Sequence, residues 1–193
     1  NSVLVTDTGS VLRASNEVQV GRDGTGNLLT IANGGQVINA GNANIGWNTG
    51  TGNTAVVTGG GSLWDIASAL SVGRASAFNT LRIENGGRIE DAAGYLGGRD
   101  GDEGTANSNN TVIVSGAGSV WQNDDNVSIG QTSQGNTLII TNGGRVLDSR
   151  GRIGPTAGAG NNRVIVTGSG SVWTNTSAAS LDGVSIGIGG WNS

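Results

Sequence analysis

Asparagine heads the same motif at positions 1, 27, 53, 79, 110, 136 and 162, a step of 26 residues at every interval except one of 31. A fixed step of this size constrains the fold more than any local signal, because it is the mark of a chain that stacks one small unit on the next. Two unit types alternate. One reads NTAVVTGGGSLWDIASALSVG from Asn53 and returns as NTVIVSGAGSVWQNDDNVSIG from Asn110 and NRVIVTGSGSVW from Asn162. A weaker copy, NSVLVTDTGSVL, starts at Asn1. The other reads NLLTIANGGQVINAGNANIG from Asn27, with copies from Asn79 and Asn136.

Each unit holds three short runs of alternating apolar and polar residues separated by glycine-rich turns, the pattern of half-buried strands. The first run contributes core pairs such as Val57 with Ala55 and Ile83 with Leu81. The second is read with Val11, Val37, Leu63, Ile89, Val120, Val146 and Val172 inward. The third offers Val20, Ile45, Val72, Leu96, Ile129, Ile153 and Ile186. The expected fold is all-β: a parallel β-helix, or β-solenoid, of about seven rungs of 26 residues with three short strands each. It spans residues 1–193 as a single segment, and Asn1 lies inside a repeat, so the chain reads as a piece of something longer. An antiparallel sandwich would also have frequent turns, but it has no need of identity at a 26-residue step.

Composition narrows the function. The 37 glycines, single proline and 12% charged residues suit many tight turns, and the regular aliphatic spacing argues against a disordered linker. All ten basic residues are scattered arginines in a chain of net charge −4, whereas a nucleic-acid partner calls for clustered positive charge. The chain has no cysteine or histidine and no apolar run of membrane-spanning length. Neither cofactor, metal nor membrane insertion is expected of this segment.

The repeated asparagines can bond amide to amide along a rod. Asn33, Asn85 and Asn142, each followed by Gly-Gly, supply corners that need positive φ. The columns read as outward carry the functional question. Beside the second core column stand Leu12, Ile38, Trp64, Glu90, Trp121, Leu147 and Trp173; the first run shows Leu4, Thr30, Val56, Arg82, Ile113, Ile139 and Ile165. Together Trp64, Trp121, Trp173, Ile113, Ile139, Ile165 and Leu147 form a candidate interaction face. Three explanations stand open for it: a wall for another copy or a receptor, a platform for sugar rings, or a corner that tucks the tryptophans inward. Arg82 and Glu90 are placed to pair across the corner. The third run shows Gln19, Asn44, Ser71, Tyr95, Ser128, Arg152 and Ser185 outward and reads as a wet face.

Without His, Cys or Lys, catalysis would need a carboxylate pair, as in glycosidases, or an arginine with bound calcium, as in β-helical polysaccharide lyases. Asp65 with Asp91, read as one column on adjacent rungs, and Asp124 with Asp125 are the acids available, and solvated corner acids explain them; no catalytic residue is expected. The 31-residue step adds five residues within positions 97–109, where Asp100, Asp102 and Glu103 faintly resemble a calcium loop without its full spacing. A similar excess lengthens positions 174–183.

The units resemble the repeat shared by type V secretion (autotransporter) passenger domains and exported PEP-CTERM proteins. The residues that carry the likeness are Val112 to Trp121 with Ile129 and Gly130, and Asn136 to Val146 with Ile153 and Gly154. The resemblance implies export, an extracellular or bacterial cell-surface location, and a stalk or adhesin role. The expected function is a non-catalytic rod that projects, adheres or self-associates, laterally or end to end; the alternative is a β-helix that binds or cleaves carbohydrate on its tryptophan face.

Overall fold

A computed structural model describes residues 1–99, 107–177 and 183–187. The described chain has 21 strands and no helix, sorted into three parallel sheets of seven. The first sheet collects Ser2–Thr6, Leu28–Ala32, Thr54–Thr58, Thr80–Glu84, Thr111–Ser115, Thr137–Thr141 and Arg163–Thr167. The second holds Val11–Ala14, Gln36–Asn39, Leu63–Ile66, Arg88–Asp91, Val120–Asn123, Arg145–Asp148 and Val172–Asn175. The third holds Val18–Val20, Ala43–Trp47, Ala69–Arg74, Ala93–Leu96, Asn126–Ile129, Arg150–Ile153 and Val184–Ile186. Each strand pairs with its counterpart one unit on, so the chain is a β-solenoid that winds from its first rung to its seventh in about six turns. At about 4.8 Å per rung the coil is about 30 Å long.

The repeated asparagines form an internal ladder. The backbone N–H and Nδ2 of Asn53 both donate to Oδ1 of Asn79, at 2.9 and 3.1 Å, and Asn79, Asn110 and Asn136 repeat the bond to the next rung. The step from Asn79 to Asn110 keeps this geometry, so the five extra residues leave the ladder unbroken. A glycine that closes a third strand makes the space: a Cβ on Gly73 would lie 2.0 Å from the Asn110 amide nitrogen. Asn110 is fully buried and donates in turn to the carbonyls of Ser76 and Asn107. Asn110→Ala should strand the backbone N–H of Asn79 and two carbonyls, while the Asn79 amide keeps Ser76 and Ala77, lowering stability by about 3 kcal/mol. A urea midpoint shift at constant slope would show it; a shift below about 1 kcal/mol would deny the ladder a structural role.

Between the end rungs the core follows the expected columns in the first and third sheets, while Val3, Val166 and Ile186 at the ends are exposed. Ala55, Val57, Leu81, Ile83, Val112, Val114, Leu138 and Ile140 are fully buried, as are Ile45, Val72, Leu96 and Ile129. Asn33, Asn85 and Asn142 take φ of 50°, 55° and 53° at their corners. The second sheet departs from expectation. Its register stacks Leu12, Val37, Trp64, Ile89, Trp121, Val146 and Trp173 in one inward column. Val11, Leu63, Val120 and Val172, expected inward, face out instead. The cause is one corner residue. From the last core residue of the first strand, Trp units run seven residues to the next core position, Val57 to Trp64, whereas NGG units run six, Ile31 to Val37. A slip of one residue turns every side chain of a strand to the opposite face. Trp units recover it at the third corner, with seven residues from Val72 to Asn79 against eight from Ile45 to Asn53, so the 26-residue step hides the difference.

Candidate functional site

The alternation of units has a chemical basis in the second corner. Each Trp indole donates to a polar side chain of the preceding NGG rung: Trp64 to Asn39 at 2.9 Å, Trp121 to Asp91 at 2.9 Å and Trp173 to Asp148 at 3.0 Å. The same NGG rungs carry Ala43, Gly94 and Gly151 at one inward position of the third sheet, where Trp units carry Leu70, Val127 and Val184. At Gly94 the ring of Trp121 fills the space a side chain would take, its Cζ2 lying 2.3 Å from a built Cβ; Trp173 does the same at Gly151, at 2.5 Å. The NGG rung thus supplies an acceptor and a vacancy, and the Trp rung fills both.

This placement corrects the candidate interaction face. Trp64 and Trp121 have no exposed surface, and Trp173 is partly buried against the core. Of the three explanations for the column, the inward tuck holds, and Trp64 and Trp121 present no ring face to solvent. Ile113, Ile139 and Ile165 face outward from the first sheet and are partly exposed, as is Leu147 from the second. The outward side of the second sheet is mixed, Arg13, Ile38, Asp65, Glu90, Gln122, Leu147 and Thr174 forming one of its columns. Arg82 and Glu90 do not meet: Arg82 binds Glu84 at 2.8 Å on its own strand, and Arg88 pairs with Glu90.

The acids separate by environment. Asp65 and Asp91 do not share a column; Asp65 is registered with Glu90 on the outside, while Asp91 faces inward. Burial pushes the Asp91 carboxyl well above the ordinary range, the Trp121 bond opposes that shift, and the Asp124 charge adds to it. Oδ1 of Asp91 and Oδ1 of Asn123, one rung apart in the same column, are buried without a partner. Asp148 is raised by burial against bonds from Trp173 and Asn175. Asp124 is exposed, and Asp125 is exposed but paired with Arg150 at 3.2 Å. Asp100, Asp102 and Glu103 lie outside the described residues. No group of three acids among the described residues could hold a metal ion.

The third face is less wet than its sequence suggests. Asn44, Ser71 and Ser128 are buried, with side-chain polar atoms that have no partner. Long side chains form the surface there: Trp47 lies between the guanidinium groups of Arg22 and Arg74, at 4.8 and 4.7 Å, and Arg99 stacks on Tyr95. Glu17 accepts bonds from Asn42 and Gln19, which hold its carboxyl below the ordinary range. Sequence reasoning also missed Ser62, Ser119 and Ser171, the serines that close the longer Trp-unit corners. Each hydroxyl donates to a carbonyl four residues back at 2.7 Å and accepts the N–H of Gly34, Gly86 or Gly143 at 3.0 Å.

No protein-family model, curated protein or solved structure matches this chain.

Proposed function

We propose that this segment is a non-catalytic structural part of an exported bacterial surface protein, a stiff rod that projects, adheres or self-associates. The observation that carries the reading is the bonding between rungs. Every described step is tied by three strand pairs and by an asparagine, and the longer step is tied in the same way. A column bonded at each level resists bending as one body, which suits a spacer better than a site that must open and close. The acids add support: Asp91 and Asp148 are occupied inside the coil by tryptophans, and Asp125 is held by Arg150. The carbohydrate alternative loses its platform with the inward turn of Trp64 and Trp121. The likeness of the units to passenger-domain repeats supports export.

The reading is tested on intact cells of the producing bacterium with a membrane-impermeant label and an antibody to the segment. Labelling before lysis is expected. Detection only in lysates would sink the surface assignment.

A further inference from the structure

The outer side of the first sheet is the surface most suited to a partner. Its seven strands present 21 outward positions, of which Arg82, Glu84 and Arg163 are the charged ones. They form three straight columns, since every strand pairs with the next residue for residue. The central column carries Val56, Ile113, Ile139 and Ile165. The flanking positions carry hydroxyls, so several strands read nearly the same in both directions about their centres: Thr54-Val56-Thr58, Thr111-Ile113-Ser115 and Thr137-Ile139-Thr141. A surface with this symmetry is self-complementary about a two-fold axis laid along the central column.

The charges choose between the two ways of placing that axis. Arg82 uses Nε and Nη2 on its own Glu84. With the axis along the strands, the copies run antiparallel and Arg82 faces Arg82 while Glu84 faces Glu84. With the axis along the rod, the copies run parallel; Arg82 again meets Arg82 on the axis, but each Glu84 faces Thr80 of the other copy, so the two carboxylates stand on opposite flanks of the arginine pair and no longer face each other. The face measures roughly 30 Å by about 17 Å, so a pair would bury about 1,000 Å² in total, the lower bound for a specific interface.

We propose that the outer face of the first sheet binds a second copy of this chain, the two rods side by side and parallel about an axis along the Val56-Arg82-Ile113-Ile139-Ile165 column. The proposal rests on the rod reading only in giving the paired rods a common direction of projection. At about 100 µM, where a micromolar interface is filled, light scattering should give twice the 19.1 kDa chain mass. Ile113→Glu with Ile139→Glu should return it to one chain mass at unchanged circular dichroism. Arg82→Glu alone should weaken pairing by about tenfold, and Arg82→Glu with Glu84→Arg should restore it to within about threefold. Direction is read by Ile139→Cys, in a chain without native cysteine, using a short bismaleimide. Parallel rods bring this position against itself, whereas antiparallel rods set it opposite the second rung. A single-chain mass for the wild type, a doubled mass that survives both glutamates, no rescue by the charge swap, or a dimer that fails to crosslink would each overturn the proposal. None of these outcomes would alter the result of surface labelling, so the two readings fail separately.

Discussion

Gly94→Val should lower stability by at least about 3 kcal/mol although it adds only apolar atoms. Gly94 has no unusual φ to protect, so the effect is steric. Its Cβ would lie 2.3 Å from Cζ2 and 2.9 Å from Cη2 of Trp121, and 2.6 Å from Oδ1 of Asn123. The ring cannot swing away, because it is fully buried and its indole nitrogen is tied to Asp91. Moving it would leave the Asp91 carboxyl without its remaining side-chain donor, which adds the cost of an unpaired buried polar group. The expected result in urea is a large fall in midpoint. Combining Gly94→Val with Trp121→Leu should recover at least half of the loss, since the smaller side chain vacates the site. If Gly94→Val costs less than about 1 kcal/mol, or the double variant is no better than the single, the wedge between NGG and Trp rungs is refuted.

The 26-residue step was enough to read the coil, its three sheets and the asparagine ladder, because stacking forces like residues onto like. It misled at the second sheet for the same reason. Alignment by a constant step places Trp64 beside Ile38, whereas the register pairs Trp64 with Val37 and Asp65 with Ile38. The compensating corners cancel in the total and leave no trace in the period. A local signal did exist: the count from Val57 to Trp64 exceeds that from Ile31 to Val37 by one. Small residues at Ala43, Gly94 and Gly151, one rung before each tryptophan, pointed the same way. Burial of Asn44, Ser71 and Ser128 had no such signal, since short polar side chains on an outward parity read as solvated wherever they stand. The central column Ile113, Ile139 and Ile165 was legible as outward because the first strand starts at a fixed distance from its asparagine in every unit.

Asp91→Asn should raise stability at neutral pH and leave it unchanged in acid. Asn39 already accepts the Trp64 indole at the corresponding position, so an amide fits the column and keeps the Trp121 bond. What the substitution removes is the cost of ionising a buried carboxyl. Its folded-state pKa lies well above the ordinary value, chiefly through burial, with Trp121 opposing and Asp124 adding. Among the described residues no cation offsets the charge from nearby: Asp65 and Glu90 stand on the outer side of the same corner, and Arg88 is engaged by Glu90 and Gln122. For a raised acid the native state holds the proton while the unfolded chain releases it. The stabilising contribution is therefore complete below the unfolded value, about 3.9, and is lost as pH rises toward the folded pKa. Asp148 follows the same sign, and Glu17, lowered by its bonds from Asn42 and Gln19, follows the opposite one. Subtracting the wild-type curve from that of Asp91→Asn cancels both. The difference should be near zero at about pH 3 and grow through the range above about 4. A difference that stays flat with pH would mean that Asp91 titrates in the folded coil as it does in the unfolded chain, and that burial does not hold its proton.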